Sequence, residues 1–364
     1  MSTDTGESVA DGGSGLLSWG TWDRIKHTER FVLLAALAFV ALFPTVFTNP
    51  PLVPSGLTGY EALVRLILIW GIFALGFDLL LGQLGLLSFG HAMFWGVGAY
   101  AAGLVAVHVS GSPLLMIVVG TLFATLLAGL TAPIVLRLHT VYFSIMMLAI
   151  AQMLYFLARE PLAEWTGGIN GLTGITAEPI LGVFSLDTAL PGVLSTLWFD
   201  YMYLLLAVVF VAVVAFVVRI RKSPYGLLFK AIRENETRAS FVGLDVWRYK
   251  FAGFLLSGLI VGLAGSLIPL EQQFTGVEQL YWETSGYIVM IAVLGGFGTI
   301  VGPIIGTIIF LYFRQVVNGL PGIGSWWLLL LAVAFTAIVW RYPDGVWGMV
   351  TNASSRLRSL GGGD

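Results

Sequence analysis

The chain has 364 residues, of which 57% are hydrophobic and only 10% charged, with a net charge of −2. A soluble domain carries about 25% charged residues, so the composition argues against one and for a protein that crosses a membrane many times. There is no cysteine, which removes disulfides, thiolate metal sites and a cysteine nucleophile.

Residues 1–30 form a polar N-tail that ends with Arg24, Lys26 and Arg30 before an apolar run. That run is long for a signal-peptide core and no small-residue cleavage site follows it, so it reads as a retained first span. A span needs about 20 apolar residues. On that measure the membrane domain, 31–348, holds about ten segments: 31–48, 62–81, 87–107, 114–136, 141–158, 201–218, 251–270, 285–296, 299–317 and 326–340. The third, eighth and ninth are short or rich in glycine. Residues 349–364 form a C-tail. The expected fold is an all-α integral membrane protein with both termini cytoplasmic and a loose internal duplication.

Orientation follows from basic residues. With the N-terminus inside, the cytoplasmic pieces collect fifteen of the eighteen Lys and Arg; the exceptions are Arg65, Arg159 and Arg314. The outer loops 159–200 and 271–284 carry one basic and eight acidic residues. A Lys/Arg bias of this size places both termini on the inner side. The 159–200 loop is too long for a plain turn and is expected to build a small external cap around TGGINGLTG (Thr166–Gly174).

The stretch 219–250 is the one strongly polar insert between two spans, with eight basic residues against Glu234, Glu236 and Asp245. Ser223-Pro224 has the form of an N-cap followed by proline at the first helical position. Leu228, Ala231, Ile232, Ala239 and Val242 then recur at helical spacing, and Gly243 stops the helix. Asp245 can cap the next one. An amphipathic helix tied at both ends to spans would act as a lever; the bland alternative is a solvated loop held to anionic lipid by its charge.

Two glycine-broken segments, Gly82–Tyr100 and Leu294–Gly306, occupy corresponding places in the two halves, a mark of transporters with a midplane pathway. Gly298, Gly302 and Gly306 recur every fourth residue, as do Gly258 and Gly262 with Gly265 nearby. This spacing suits close helix contact, and Pro303 adds an expected kink. Ionisable residues inside spans mark functional candidates. Asp78 is the deepest of these, with Arg314 and Glu61/Arg65 nearer the ends, and His91 and Gln83 in the first break. For His91 the alternative is a neutral imidazole bonded to backbone freed by the break. The four histidines (His27, His91, His108, His139) show no metal-ligand spacing. No phosphate-binding G-x-x-x-x-G-K-[ST] loop occurs, nor any hydrolase motif, so an enzyme is not expected, and nothing points to a cofactor or nucleic acid.

The run LGFDLLLGQLGLLSFGHAMFWGVGAYAAGL (Leu75–Leu104) resembles the signature of LivM-type permeases, the membrane subunits of branched-chain amino-acid ABC importers. Three later stretches are similar to the same family in the same order: Thr166–Ile175, Ser223–Lys250 and VLGGFGTIVGPIIG (Val293–Gly306). The likeness covers about residues 60–348. It implies a permease of the prokaryotic cytoplasmic membrane, paired with a second homologous permease, two cytoplasmic ATP-binding subunits and an extracytoplasmic substrate-binding protein. The loop 219–250 would be the coupling element, with Lys230, Arg233, Glu234, Arg238, Ala239 and Gly243 facing the ATPase. TRASFVG (Thr237–Gly243) corresponds to the family's E-A-A-x-x-x-G, of which only Ala239 and Gly243 match. Asp78 stands where the family usually has Asn, and Met93 and Trp95 where smaller or phenyl side chains are common. The path or gate would involve Asp78, Gln83, His91, Gly298, Gly302, Pro303 and Gly306.

The expected function is import of branched-chain or other apolar amino acids. A related permease for urea or short amides is a close competitor. An ion-coupled secondary transporter using Asp78 is a more distant one.

Overall fold

The computed structural model describes residues 32–44, 61–180, 184–186, 188, 190, 200–320, 322, 324–342 and 345–349. The expected tails, apart from Met349, lie outside these residues. The helices are α1 (Val32–Pro44), α2 (Glu61–Asp78), α3 (Ala92–His108), α4 (Pro113–Val135), α5 (Thr140–Arg159), the single turn α6 (Ala163–Thr166) and α7 (Tyr201–Lys222). After these come α8 (Pro224–Glu234), α9 (Glu236–Phe241), α10 (Val246–Gln272), α11 (Trp282–Gly295), α12 (Val301–Asn318) and α13 (Trp327–Arg341). Among the described residues, strand pairing is limited to two isolated bridges, Leu172 with Thr275 and Ile180 with Phe184.

Seven described helices are long and apolar enough to span a membrane, and α1, α3 and α11 are shorter apolar helices. Together they occupy the ten expected segments, with changed boundaries. Helix α2 does not stop near 81 but runs on as a π-helical turn, Leu79–Leu84, so α3 starts at Ala92 rather than 87. Helices α7 and α10 each extend into the basic stretch, to Lys222 and from Val246. Hydropathy stops at the first charge, but backbone hydrogen bonding does not. Arg219, Arg221 and Lys222 in the last turn of α7 suit the negative end of its dipole.

Helix α2 is the centre of the bundle: 89% of its apolar window is buried, against 12% for the peripheral 327–349 segment. Helices α3, α4 and α10 pack on one another and, through α10, on α2, while α7 and the α11–α12 hairpin cover its other sides. The α3–α4–α10 contact runs through small residues. A Cβ on Gly258 or Gly262 would press into Ala128 or Ala124 of α4, and one on Gly265 would collide with the Trp95 carbonyl of α3. In a membrane this backbone proximity supplies the attraction that hydrophobic burial supplies in water. Gly265→Ala is therefore expected to lower stability by about 1–3 kcal/mol. Gly286→Ala, where a Cβ meets nothing within 4 Å, should leave it nearly unchanged or slightly raised. Thermal unfolding of the two variants in detergent reads the difference.

At the end of the bundle where α7 begins, Arg65 of α2 bonds Asp200 at 2.7 Å and Glu271 of α10 at 2.8 Å. This accounts for one exception to the charge rule: the arginine is held by two carboxylates. Arg159 leans on Glu160 at 3.5 Å. Short helices of the kind expected in the 159–200 loop are there. Thr166–Gly174 forms the end of α6 and a short 3-10 turn, and Leu172 pairs with Thr275 at 2.8 and 3.1 Å. Gly167 sits at φ 76°, and a side chain on it would run into the Gly171 carbonyl, so the motif closes on itself. Residues 181–183, 187, 189 and 191–199 of that loop lie outside the described residues.

Candidate functional site

Helix α7 is 22 residues, about 33 Å long, so Arg221 near its C-terminus lies at the opposite end of the bundle from Asp200. Around Arg221 the chain brings together three distant segments: the break after α2, the break before α12, and the loop helices α8 and α9.

The first break comprises the π-helical turn Leu79–Leu84 and the irregular stretch 85–91 that follows it. Its backbone would be unsatisfied at membrane depth, and side chains fill the gaps. Ser285 accepts from the Ala92 N–H at 2.9 Å, Ser88 accepts from the Gly90 N–H at 3.3 Å, and Ser144 donates to the Leu87 carbonyl. Gly85, at φ 74°, ends the π-helical turn. His91 is fully enclosed, edge-on to Phe77 and Phe94. Its Nε2–H donates to Ser257 at 2.9 Å, since that hydroxyl itself donates to the Gly76 carbonyl at 2.7 Å. The imidazole thus bonds a side chain of α10 rather than freed backbone, and it links α3 to α2 through α10.

The second break spans 296–300. Gly298 lies in it at φ 80°, ahead of α12, so the expected three-glycine stripe is a turn glycine plus two helical ones. Gly302 and Gly306 lie against the Gly296 and Ile291 carbonyls, which seats α12 tightly on α11. Pro303 is the third residue of α12. In a first turn the missing N–H has no intrahelical partner to lose, so the kink expected from sequence is absent.

The loop departs from the single helix expected. Asn235 breaks it into α8 and α9 and caps α9 by accepting from the Arg238 N–H at 2.8 Å. Pro224 opens α8 as expected, but the Ser223 hydroxyl donates back to the Ile220 carbonyl at 2.6 Å instead of capping. The buried face is Gly226, Phe229 and Ile232 with Ala239, not Leu228, Ala231 and Val242. Phe229 and Leu84 of the π-helical turn both lie against Gly253 of α10, where an added Cβ would meet the Phe229 ring at 3.4 Å. Asp245 caps α10 as expected, accepting from the Arg248 N–H at 3.3 Å. Lys250, buried at the root of α10, pairs with Glu236 of α9 at 2.5 Å.

Two arginines join these parts. Arg233 of α8 donates from Nη1 to the Gly82 carbonyl in the π-helical turn, and its guanidinium lies 5.6 Å from the Phe297 ring of the second break. Arg221 donates to the Gly298 carbonyl and faces Asp78 at 4.0 Å. Asp78, buried, accepts from the Gly298 N–H at 2.7 Å. With its amide oxygen turned toward the guanidinium, Gln83 accepts from Arg221 at 2.6 and 3.1 Å. Gly82 is glycine for want of room: a Cβ would press on Asp78 and the Gly298 nitrogen.

Of the residues singled out from sequence, the structure therefore gathers Asp78, Gln83, Arg233 and Gly298 into one cluster, in which Asp78 and Gln83 are buried, Gly298 is half-buried and Arg233 is exposed. Gly302, Pro303 and Gly306 lie behind it, and His91 lies apart in the α3–α10 packing. Lys230, Glu234, Arg238 and Gly243 are exposed on the loop, and Ala239 is buried beneath it. The Glu61 side chain lies outside the described residues. Arg221 was missed. It is one of eight basic residues in its stretch, and only its buried partner sets it apart. Among the described residues no three His, Asp or Glu side chains form a group able to hold a metal. The cluster has the makings of a mechanical joint: charged hydrogen bonds to backbone at two helix breaks.

A family profile described as "Branched-chain amino acid transport system / permease component" matches residues 59–339. The chain belongs to this permease family. It is a multi-pass protein of the plasma membrane. It is 28% identical to the high-affinity branched-chain amino acid transport system permease protein LivM of Escherichia coli (strain K12), over 85% of this chain and 74% of that protein. It is 26% identical to LivM of Salmonella typhimurium, over 91% of this chain and 77% of that one. A nucleoside ABC transporter permease protein, NupC of Lactococcus lactis, is 26% identical over 70% of this chain and 82% of that protein. The names of these relatives thus cover more than one solute. No solved structure matches the chain.

Proposed function

We propose that this permease imports branched-chain or other apolar amino acids as one subunit of an ATP-driven complex, with hydrolysis carried out by separate ATP-binding subunits docked on α8 and α9. The observation that carries this reading is the double attachment of α8: through Arg233 to the first break and, by way of Arg221 at its root, to the second. A displacement of the loop would move both breaks together, which is what alternate opening of a path between them needs. The outward surface of the loop supports docking. Leu227, Phe241 and Val242 are exposed there at 67%, 85% and 74%, and apolar side chains left open on a polar insert fit a protein partner. A second permease and an extracytoplasmic substrate-binding protein complete the assembly, with both termini and the 219–250 loop cytoplasmic.

Asp78 fits a part in the joint better than an ion-coupling site, because both its oxygens are turned to protein groups. The test is reconstitution with the second permease, two ATP-binding subunits and the binding protein. ATP-dependent leucine uptake that exceeds urea and uridine uptake is the expected result, with Lys230 labelled only from the cytoplasmic side. Uptake by this chain alone, driven by an ion gradient, would overturn the reading, and preferential uptake of urea or uridine would overturn its choice of solute.

A further inference from the structure

At the end of the bundle far from α8, helices α2, α10, α11 and α12 and the 277–280 turn enclose a cavity of about 340 Å³. Small-molecule sites begin at about 300 Å³, so a single small solute fits. The cavity's deepest residue on α2 is Trp70, which leans on the buried Trp95, with ring centroids 5.3 Å apart; Trp95 is in turn stacked on Phe73 at 4.7 Å. The aromatic cluster makes a floor, and Trp95 is fixed by donating its Nε1–H to Gln279.

The chemistry of the walls is lopsided in a useful way. Arg314 of α12 lines the cavity, and its guanidinium lies 5.2 Å from the Trp327 ring. Among the described residues it has no hydrogen bond or ion pair. Arg314 is also the charge-rule exception left unexplained, since Arg65 and Arg159 both have carboxylates. Glu278, on the 277–280 turn, also lines the cavity, with one carboxylate oxygen lying over Gly276, and Leu63, Leu66 and Leu311 supply an aliphatic wall.

We propose that this cavity is a binding subsite for an α-amino acid, in which Arg314 takes the carboxylate, Glu278 the ammonium and the aliphatic wall the apolar side chain. Arginine matches a carboxylate with two parallel hydrogen bonds. A neutral urea or nucleoside would leave both charges of the site unmatched. The proposal rests on the importer reading above and locates where the permease itself holds its solute.

The natural absence of cysteine gives the test: Gln315→Cys, on the cavity wall, is the only thiol in this subunit. In the full complex without the binding protein, L-leucine should slow maleimide labelling of that thiol. Leucinol, which lacks the carboxylate, and N-acetylleucine, which lacks the ammonium, should not. Arg314→Gln and Glu278→Gln should each raise the half-protecting leucine concentration about tenfold or more, whereas Arg314→Lys, which keeps the charge but loses the fork, should fall between wild type and Arg314→Gln. Absence of protection by leucine, equal protection by leucinol, or an unchanged midpoint in Arg314→Gln would overturn the subsite. ATP-driven uptake measured in parallel separates the two readings. Leucine uptake without protection refutes only the subsite, and a complex that carries uridine but not leucine refutes both.

Discussion

Arg233→Ala is expected to reduce solute uptake at least about tenfold, the loss that follows from removing a charge-assisted hydrogen bond, while ATP hydrolysis by the assembled complex continues. The guanidinium touches both breaks at once, the Gly82 carbonyl on one side and the Phe297 ring on the other. Alanine leaves α8 anchored by Phe229 and α9 by the Lys250–Glu236 pair, so the loop should still fold and dock. On the proposed reading, what is lost is the link by which movement of the loop reaches the path. Lys230→Ala, at an exposed position on the same helix, touches neither break, so any loss it causes should lower uptake and ATPase rate together. Uptake and ATPase rate measured on the same proteoliposomes decide the matter. Parallel loss of both would mean that Arg233 supports assembly, and wild-type uptake would mean that the link is not used.

Arg221→Met should be the most destabilising single change in the cluster. It removes the cation facing Asp78 and leaves a carboxylate enclosed with one backbone donor, the Gly298 N–H. Stranding one member of a buried pair costs about 3–5 kcal/mol. Asp78→Asn should be milder, because the amide oxygen can still accept from Gly298 and the charge is gone. The informative variant is the double one. In Asp78→Asn/Arg221→Met no uncompensated carboxylate remains, so the double variant should unfold at a higher temperature than Arg221→Met alone. Strict additivity of the two single effects in a double-mutant cycle would show that the two side chains are not coupled, despite their 4.0 Å approach.

The all-α membrane fold, the ten apolar helices among the described residues, the two glycine breaks and the place of the polar, helix-forming insert were all legible in sequence. So were the Asp245 cap and the Gly258–Gly262–Gly265 face, because each is written in hydropathy or spacing within one stretch of chain. Errors arose where neighbouring residues were ambiguous. The π-helical turn carried α2 past its expected end, Asn235 split the loop helix, and Pro303 fell in a first turn where it bends nothing.

Tertiary structure alone decided which charges meet. Asp78 was conspicuous as a buried acid, but no local pattern names Arg221 as the residue facing it, or Gly298 as its donor. Arg314 and Glu278 look like unrelated loop and helix charges until α12 and the 277–280 turn close on one cavity. Hydropathy and helical period act over one or a few turns, so they specify elements. An electrostatic pair acts across space between segments far apart in the chain, and only packing of the helices brings its members within reach.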